Sequence, residues 1–122
     1  MRILVVDDAE PVREMLKCTL DILGHEVVAD AATGEEALAA YGRARPDLVM
    51  LDFVLPDLSG LEVLRRLRAR DPRAQVIILT GNKTADLVKQ VKEQGAVCLM
   101  EKPFNPEEFN EALTHVRRAP SS

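Results

Sequence analysis

A chain of 122 residues has the length of one ordinary domain, and 47% hydrophobic with 30% charged residues is the composition of a globular protein with a single core. A net charge of −4, from 20 acidic against 16 basic side chains, excludes an overall attraction to nucleic acid or an anionic membrane. No apolar run approaches the roughly 18 residues of a membrane span, and no signal peptide is recognisable, so the expected compartment is the cytosol.

Short β-rich runs alternate with longer helical patterns five times. The first strand is expected over 2–6 and ends abruptly in Asp7 and Asp8. Between Pro11 and Gly24, Val12, Met15, Leu16, Leu20 and Leu23 form the apolar stripe of a first helix. A strand over 26–30 follows, and Thr33 with Glu36 has the spacing of a capping box at the next helix start. The third strand, 47–52, ends in Asp52. The helix after Gly60 turns Leu61, Leu64 and Leu67 inward and stops at Asp71-Pro72. A fourth strand over 75–79 precedes Thr80, and its helix runs from near Thr84 to Gly95 with Leu87, Val88 and Val91 inward. The fifth strand, 97–101, precedes Lys102. Asn105 as N-cap, Pro106 at the first helical position and the acids Glu107 and Glu108 then open the last helix.

Five βα units without a repeat or an internal linker predict an open α/β sheet, doubly wound and parallel, with helices on both faces. Most of the strands are continuously apolar, as strands covered on both sides are. Residues 117–122 read as an unstructured tail. Cys18 and Cys98 lie in no C-x-x-C or Cys/His cluster and are expected to be reduced core thiols. His25 and His115 have no partner identifiable by spacing. Arg65, Arg66, Arg68, Arg70 and Arg73 read as a solvated helix face, and with few aromatics beside them direct contact with nucleic acid is not expected.

In such a sheet the functional crevice lies beyond the carboxyl ends of the strands. Asp7, Asp8, Asp52, Thr80 and Lys102 all follow or close a strand, so three carboxylates, a hydroxyl and an ammonium converge on one edge. Singly, each could be a cap or a strand-end charge; four strand ends presenting this set together call for a common reason. Two like charges about 4 Å apart repel by roughly 4 kcal/mol at an effective dielectric near 20, which demands a compensating divalent cation or a lone proton. The candidates are all hard oxygen donors, a set suited to Mg²⁺ or Mn²⁺ rather than Zn²⁺. Asp52 then has a second task open to it, as a nucleophile toward phosphorus, with Lys102 and Thr80 beside the transferred oxygens.

These motifs carry a resemblance. ILVVDD, the spaced set Asp52, Pro56 and Gly60, VIILTG ending in Thr80, and EKPF with Lys102 and Pro103 together resemble the receiver domains of bacterial response regulators. The resemblance spans 1–118, leaving 119–122 as a flexible tail or linker stump. It implies a flavodoxin-like (βα)5 fold with strand order 2-1-3-4-5. It also implies a signalling switch, not a turnover enzyme, that takes a phosphoryl group onto Asp52 from a sensor histidine kinase or phosphotransfer protein and catalyses only its own phosphorylation and dephosphorylation. Asp8 would bind Mg²⁺ directly, Asp7 partly through water, and Asp52 and the Val54 carbonyl would complete the protein ligands. Lys102 would contact the phosphoryl group, Thr80 would move toward it, and the Lys102–Pro103 bond would be cis. The face made by the fourth helix, fifth strand and fifth helix would meet an effector, an output domain or a second copy.

Two positions depart from the family pattern. Leu99 stands where the family commonly has Tyr or Phe, which shifts the expected readout of Thr80 to the loop 81–84. Val54 stands where many members have a polar side chain, and Asn82 is the candidate to compensate. Val54 also counts against a phosphatase of the haloacid dehalogenase type, which needs a second Asp there. A pure interaction module is the other rival, and the complete acid, Thr and Lys set counts against it.

Overall fold

Residues 1–117 are described by a computed structural model. The expected domain end at 118 and the expected tail 119–122 lie outside the described residues. In chain order the elements are β1 (Arg2–Val6), α1 (Glu10–Ile22), β2 (Glu26–Ala31), α2 (Gly34–Ala44), β3 (Leu48–Asp52), α3 (Gly60–Arg70), β4 (Val76–Thr80), α4 (Ala85–Glu93), β5 (Cys98–Glu101) and α5 (Pro106–Thr114). The sheet is parallel throughout with the order β2-β1-β3-β4-β5, as the resemblance implied.

The period-two alternation of the strands divides the core into two layers. Leu4, Val6, Val49, Leu51, Val76, Ile78 and Leu99 face one way and pack with Leu38 of α2, Leu64 and Leu67 of α3, and Leu87 and Val91 of α4. Ile3, Val5, Leu48, Met50, Ile77, Leu79 and Met100 face the other way, against Leu16 and Leu20 of α1 and Phe109 and Leu113 of α5. Every residue of β3 and β4 is therefore buried, which explains why these strands read as unbroken apolar runs.

Helix starts follow side-chain chemistry. The oxygens of Thr33, Ser59, Thr84 and Asn105 accept the N–H of Glu36, Glu62, Leu87 and Glu108 at 2.8–3.1 Å. The Glu36 carboxylate closes its capping box one residue early, on the N–H of Ala32. Gly24 and Gly95 follow α1 and α4 with φ of 87° and 91°, a conformation that glycine adopts without a steric penalty.

Several expectations need correction. Met15 is 49% exposed, because α1 covers the sheet with Leu16 and Leu20 and position 15 turns about 100° away from 16. Cys18 lies on that same outer side and Cys98 is only partly buried, so neither is a true core thiol. His25 is not without a partner: its Nδ1 lies 3.0 Å from the Met1 amine. Arg68 and Arg70 are not idle surface charges, since Arg68 donates to Ala74 O and Arg70 to Leu38 O. Arg117, placed in the tail, is tied down, its N–H donating to Gln75 Oε1 at 2.6 Å. Among the described residues β5 has no strand beyond it, and Leu99 and Met100 are buried on opposite faces, so helices cover both its faces as expected.

Candidate functional site

β1 and β3 are neighbours in register, Val6 opposite Leu51, so the residues that end them arrive at the same edge. The chain moves outward from β1 to β2 and returns across β1 to β3, which places the reversal of strand order between β1 and β3. At that reversal the carboxylates of Asp7, Asp8 and Asp52 offer oxygens that all lie within 4.8 Å of one another. Asp7 and Asp52 are buried, and Asp8 is exposed at the mouth. Asp8 does not cap α1, whose N-cap residue is Ala9 without a side-chain bond.

Lys102 enters from β5. Its backbone N–H donates to Thr80 O at 2.7 Å, carrying the side chain toward the acids. Nζ donates to Asp7 Oδ2 at 2.7 Å and stands 3.4 Å from Asp52 Oδ2. The following Lys102–Pro103 bond is cis. Asp7 is further fixed by the Ala9 N–H on Oδ1 at 2.9 Å, and its carbonyl accepts from Arg13 Nη1 at 2.7 Å.

The electrostatics of the site are strained on the anionic side. Burial raises the Asp52 carboxyl above its ordinary value and the Asp7 charge adds to this; Lys102 and the Val54 N–H oppose it without cancelling it. Burial works against the Lys102 charge, but the Asp7 hydrogen bond and the charges of Asp52 and Asp7 outweigh it and hold the ammonium above its ordinary value. One ammonium thus faces three carboxylates. Neither His nor Cys belongs to the cluster, so its oxygen donors fit a hard divalent cation such as Mg²⁺.

Thr80, also buried, turns its hydroxyl toward its own loop, accepting the Asn82 N–H at 3.2 Å. Val54 is 67% exposed beside Asp52 and pairs with Ser59 in an isolated antiparallel bridge. Leu99 is buried in the layer under α4. Sequence reasoning missed Arg13, Asp57 and Glu101. Asp57 accepts the N–H of Gly34 and Glu35 across the loop after β3, and Glu101 Oε2 accepts the Lys83 N–H at 2.7 Å. Each acts on a distant backbone group, and no spacing in the sequence marks such a pairing.

The description of the response regulator receiver domain family matches residues 3–114. The chemotaxis protein CheY of Thermotoga maritima is 33% identical over 96% of this chain and 98% of its own length. Sporulation initiation phosphotransferase F of Bacillus subtilis is 36% identical over 92% of this chain and 90% of its own. Among solved structures, the CheX-CheY-BeF3-Mg complex from Borrelia burgdorferi aligns with a TM-score of 0.92 at 27% identity, over 95% of this chain and 88% of that one. The gathered acids at the strand reversal, the fold around them and these relatives agree: the chain belongs to the response regulator receiver domains, switches of two-component signalling that are phosphorylated on an aspartate.

Proposed function

We propose that Asp52 is the phosphoacceptor and that a sensor histidine kinase or phosphotransfer protein is the donor. The observation that carries this is the meeting of Asp7, Asp8 and Asp52 within 4.8 Å, with Lys102 reaching into the same cluster. Asp7, Asp8, Asp52 and the Val54 carbonyl would hold Mg²⁺, for which Mn²⁺ is an oxygen-seeking substitute. When bound, that ion supplies positive charge to the phosphoryl oxygens.

An Asp52 oxygen forms the new bond to phosphorus as the bond to the donor's histidine nitrogen breaks, and the imidazole leaves. Lys102, whose Nζ stands 3.4 Å from Asp52 Oδ2, donates N–H to the transferred oxygens. Thr80 exchanges its Asn82 contact for the phosphoryl group, and the loop 81–84 follows. Leu99 is already packed and has no ring to swing, which supports readout by that loop and not by residue 99. The changed face of α4, β5 and α5 then meets an effector, an output domain or a second copy, in the cytoplasm. The domain turns over only its own acyl phosphate. Val54 offers the departing phosphoryl group no side-chain base, and the Asn82 amide is the candidate to orient the water instead.

Incubation with acetyl phosphate and Mg²⁺ tests the assignment. One phosphoryl adduct by mass spectrometry, absent from Asp52→Asn, is the expected result. An adduct that survives Asp52→Asn would refute it, and sustained release of phosphate from simple phosphoesters would favour a phosphatase.

A further inference from the structure

We propose that Asp57 is a positioning residue of the acid site, tying the loop that follows Asp52 to the N-terminus of α2 and thereby setting where the Val54 carbonyl stands. The inference rests on the magnesium reading of the site proposed above.

The loop 53–59 is closed at its base. Gly60 N–H donates to Phe53 O at 2.7 Å, and Val54 pairs with Ser59. Gly60 approaches so closely that a Cβ there would lie 2.6 Å from Asp52 O. Residues 55–58 project from this base, and at their tip Asp57 reaches across to another element. Its Oδ1 accepts Gly34 N–H at 2.7 Å and Leu58 N–H at 2.9 Å, and its Oδ2 accepts Glu35 N–H at 2.9 Å. The donors of Glu35 and Gly34 hold the carboxyl below its ordinary value. Leu58 and Gly34 are in contact, since a Cβ on Gly34 would meet Leu58 Cβ at 2.9 Å.

Helix α2 has caps of its own. Thr33 serves the Glu36 N–H and Glu36 serves the Ala32 N–H. Of the first two helical residues Glu35 is exposed, where water would satisfy its N–H without any side chain, whereas Gly34 is buried and its N–H is satisfied by Asp57. Asp57 itself is exposed, so satisfying the Gly34 donor is one role of the bond and the Glu35 donor has no such need of it. What the bond adds is a fixed position for the loop tip, three residues beyond Val54. Without it the tip keeps the Phe53–Gly60 and Val54–Ser59 base and the packing of Leu55 and Leu58, but no polar tie to α2.

A purely structural cap predicts something different, and three variants separate the two roles. Thr33→Ala removes α2's own cap, Asp57→Ala removes the cross-link, and Asp57→Asn keeps one acceptor oxygen. Magnesium affinity is read by calorimetry, thermal midpoint by circular dichroism, and amide exchange at Val54 and Gly60 in metal-free protein. Both alanine variants lower the midpoint. Only Asp57→Ala weakens Mg²⁺ binding, by about tenfold, as loss of an outer-shell partner does, and only it speeds exchange at Val54 and Gly60; Asp57→Asn falls between it and the wild type. Equal magnesium affinity in Thr33→Ala and Asp57→Ala, with the wild type binding and Asp8→Asn not, overturns this inference alone. A wild type that binds no magnesium overturns the reading of the site and the inference together.

Discussion

Asp52 and Asp71 are displaced in opposite directions, and their pH behaviour separates function from stability. Burial raises Asp52, so its ionisation weakens the metal-free fold as pH rises through the folded value. Asp52→Asn is therefore expected to raise metal-free stability at neutral pH, read as a higher thermal midpoint. The gain should vanish below the carboxylate range, where the wild type is protonated in both states. Asp71 is lowered, first by the Tyr41 hydroxyl that donates to it at 2.6 Å, then by the Arg73 N–H. Its contribution is present above the ordinary carboxylate value and is lost as pH falls through the folded one. Tyr41→Phe should cost about 1–2 kcal/mol near neutral pH and progressively less in acid, measured by urea unfolding. The strand-end acids were legible because an apolar run that stops at a charge marks its own end. Tyr41 and Asp71 were not, because their bond joins two helices, and Met15 was misread because a stripe leaves about one residue's turn of ambiguity.

At the scale of elements, local chemistry predicted starts better than contacts. Thr33, Thr84 and Asn105 cap the helices that the sequence assigned to them, since a cap needs only residues three apart. Strand limits moved by one residue because pairing with a neighbour, not propensity, sets them; β2 and β4 extend to Ala31 and Thr80. Asn105→Ala should cost about 1 kcal/mol and leave Mg²⁺ affinity unchanged, by thermal unfolding and calorimetry. The loop between β4 and α4 is held at two points, by Thr80 Oγ1 on the Asn82 N–H and by Glu101 on the Lys83 N–H. Leu99→Ala is expected to lose about 2–4 kcal/mol of stability as a buried truncation. It should nevertheless retain the phosphorylation-induced amide shifts of 81–84 in NMR spectra. Loss of those shifts while Asp52 still accepts phosphorus would return the readout to residue 99.

Across the whole molecule, two apolar layers hold a sheet whose one reversal of strand order gathers the acids. The number of βα units and their covered faces followed from the pattern of apolar residues; the order of the strands came with the family resemblance, because periodicity carries no information about neighbours. No described helix is long and apolar enough to cross a membrane. A cation that binds only the folded arrangement stabilises it, so magnesium at about 100 times its dissociation constant should add about 2.7 kcal/mol. Asp8→Asn should abolish that gain.

The most direct measurement is the intact mass of the wild-type protein with acetyl phosphate across a magnesium titration. Single phosphorylation that rises with magnesium, stops with chelator and maps to Asp52 is the predicted outcome. Phosphorylation independent of magnesium, or carried on any other residue, would contradict the account.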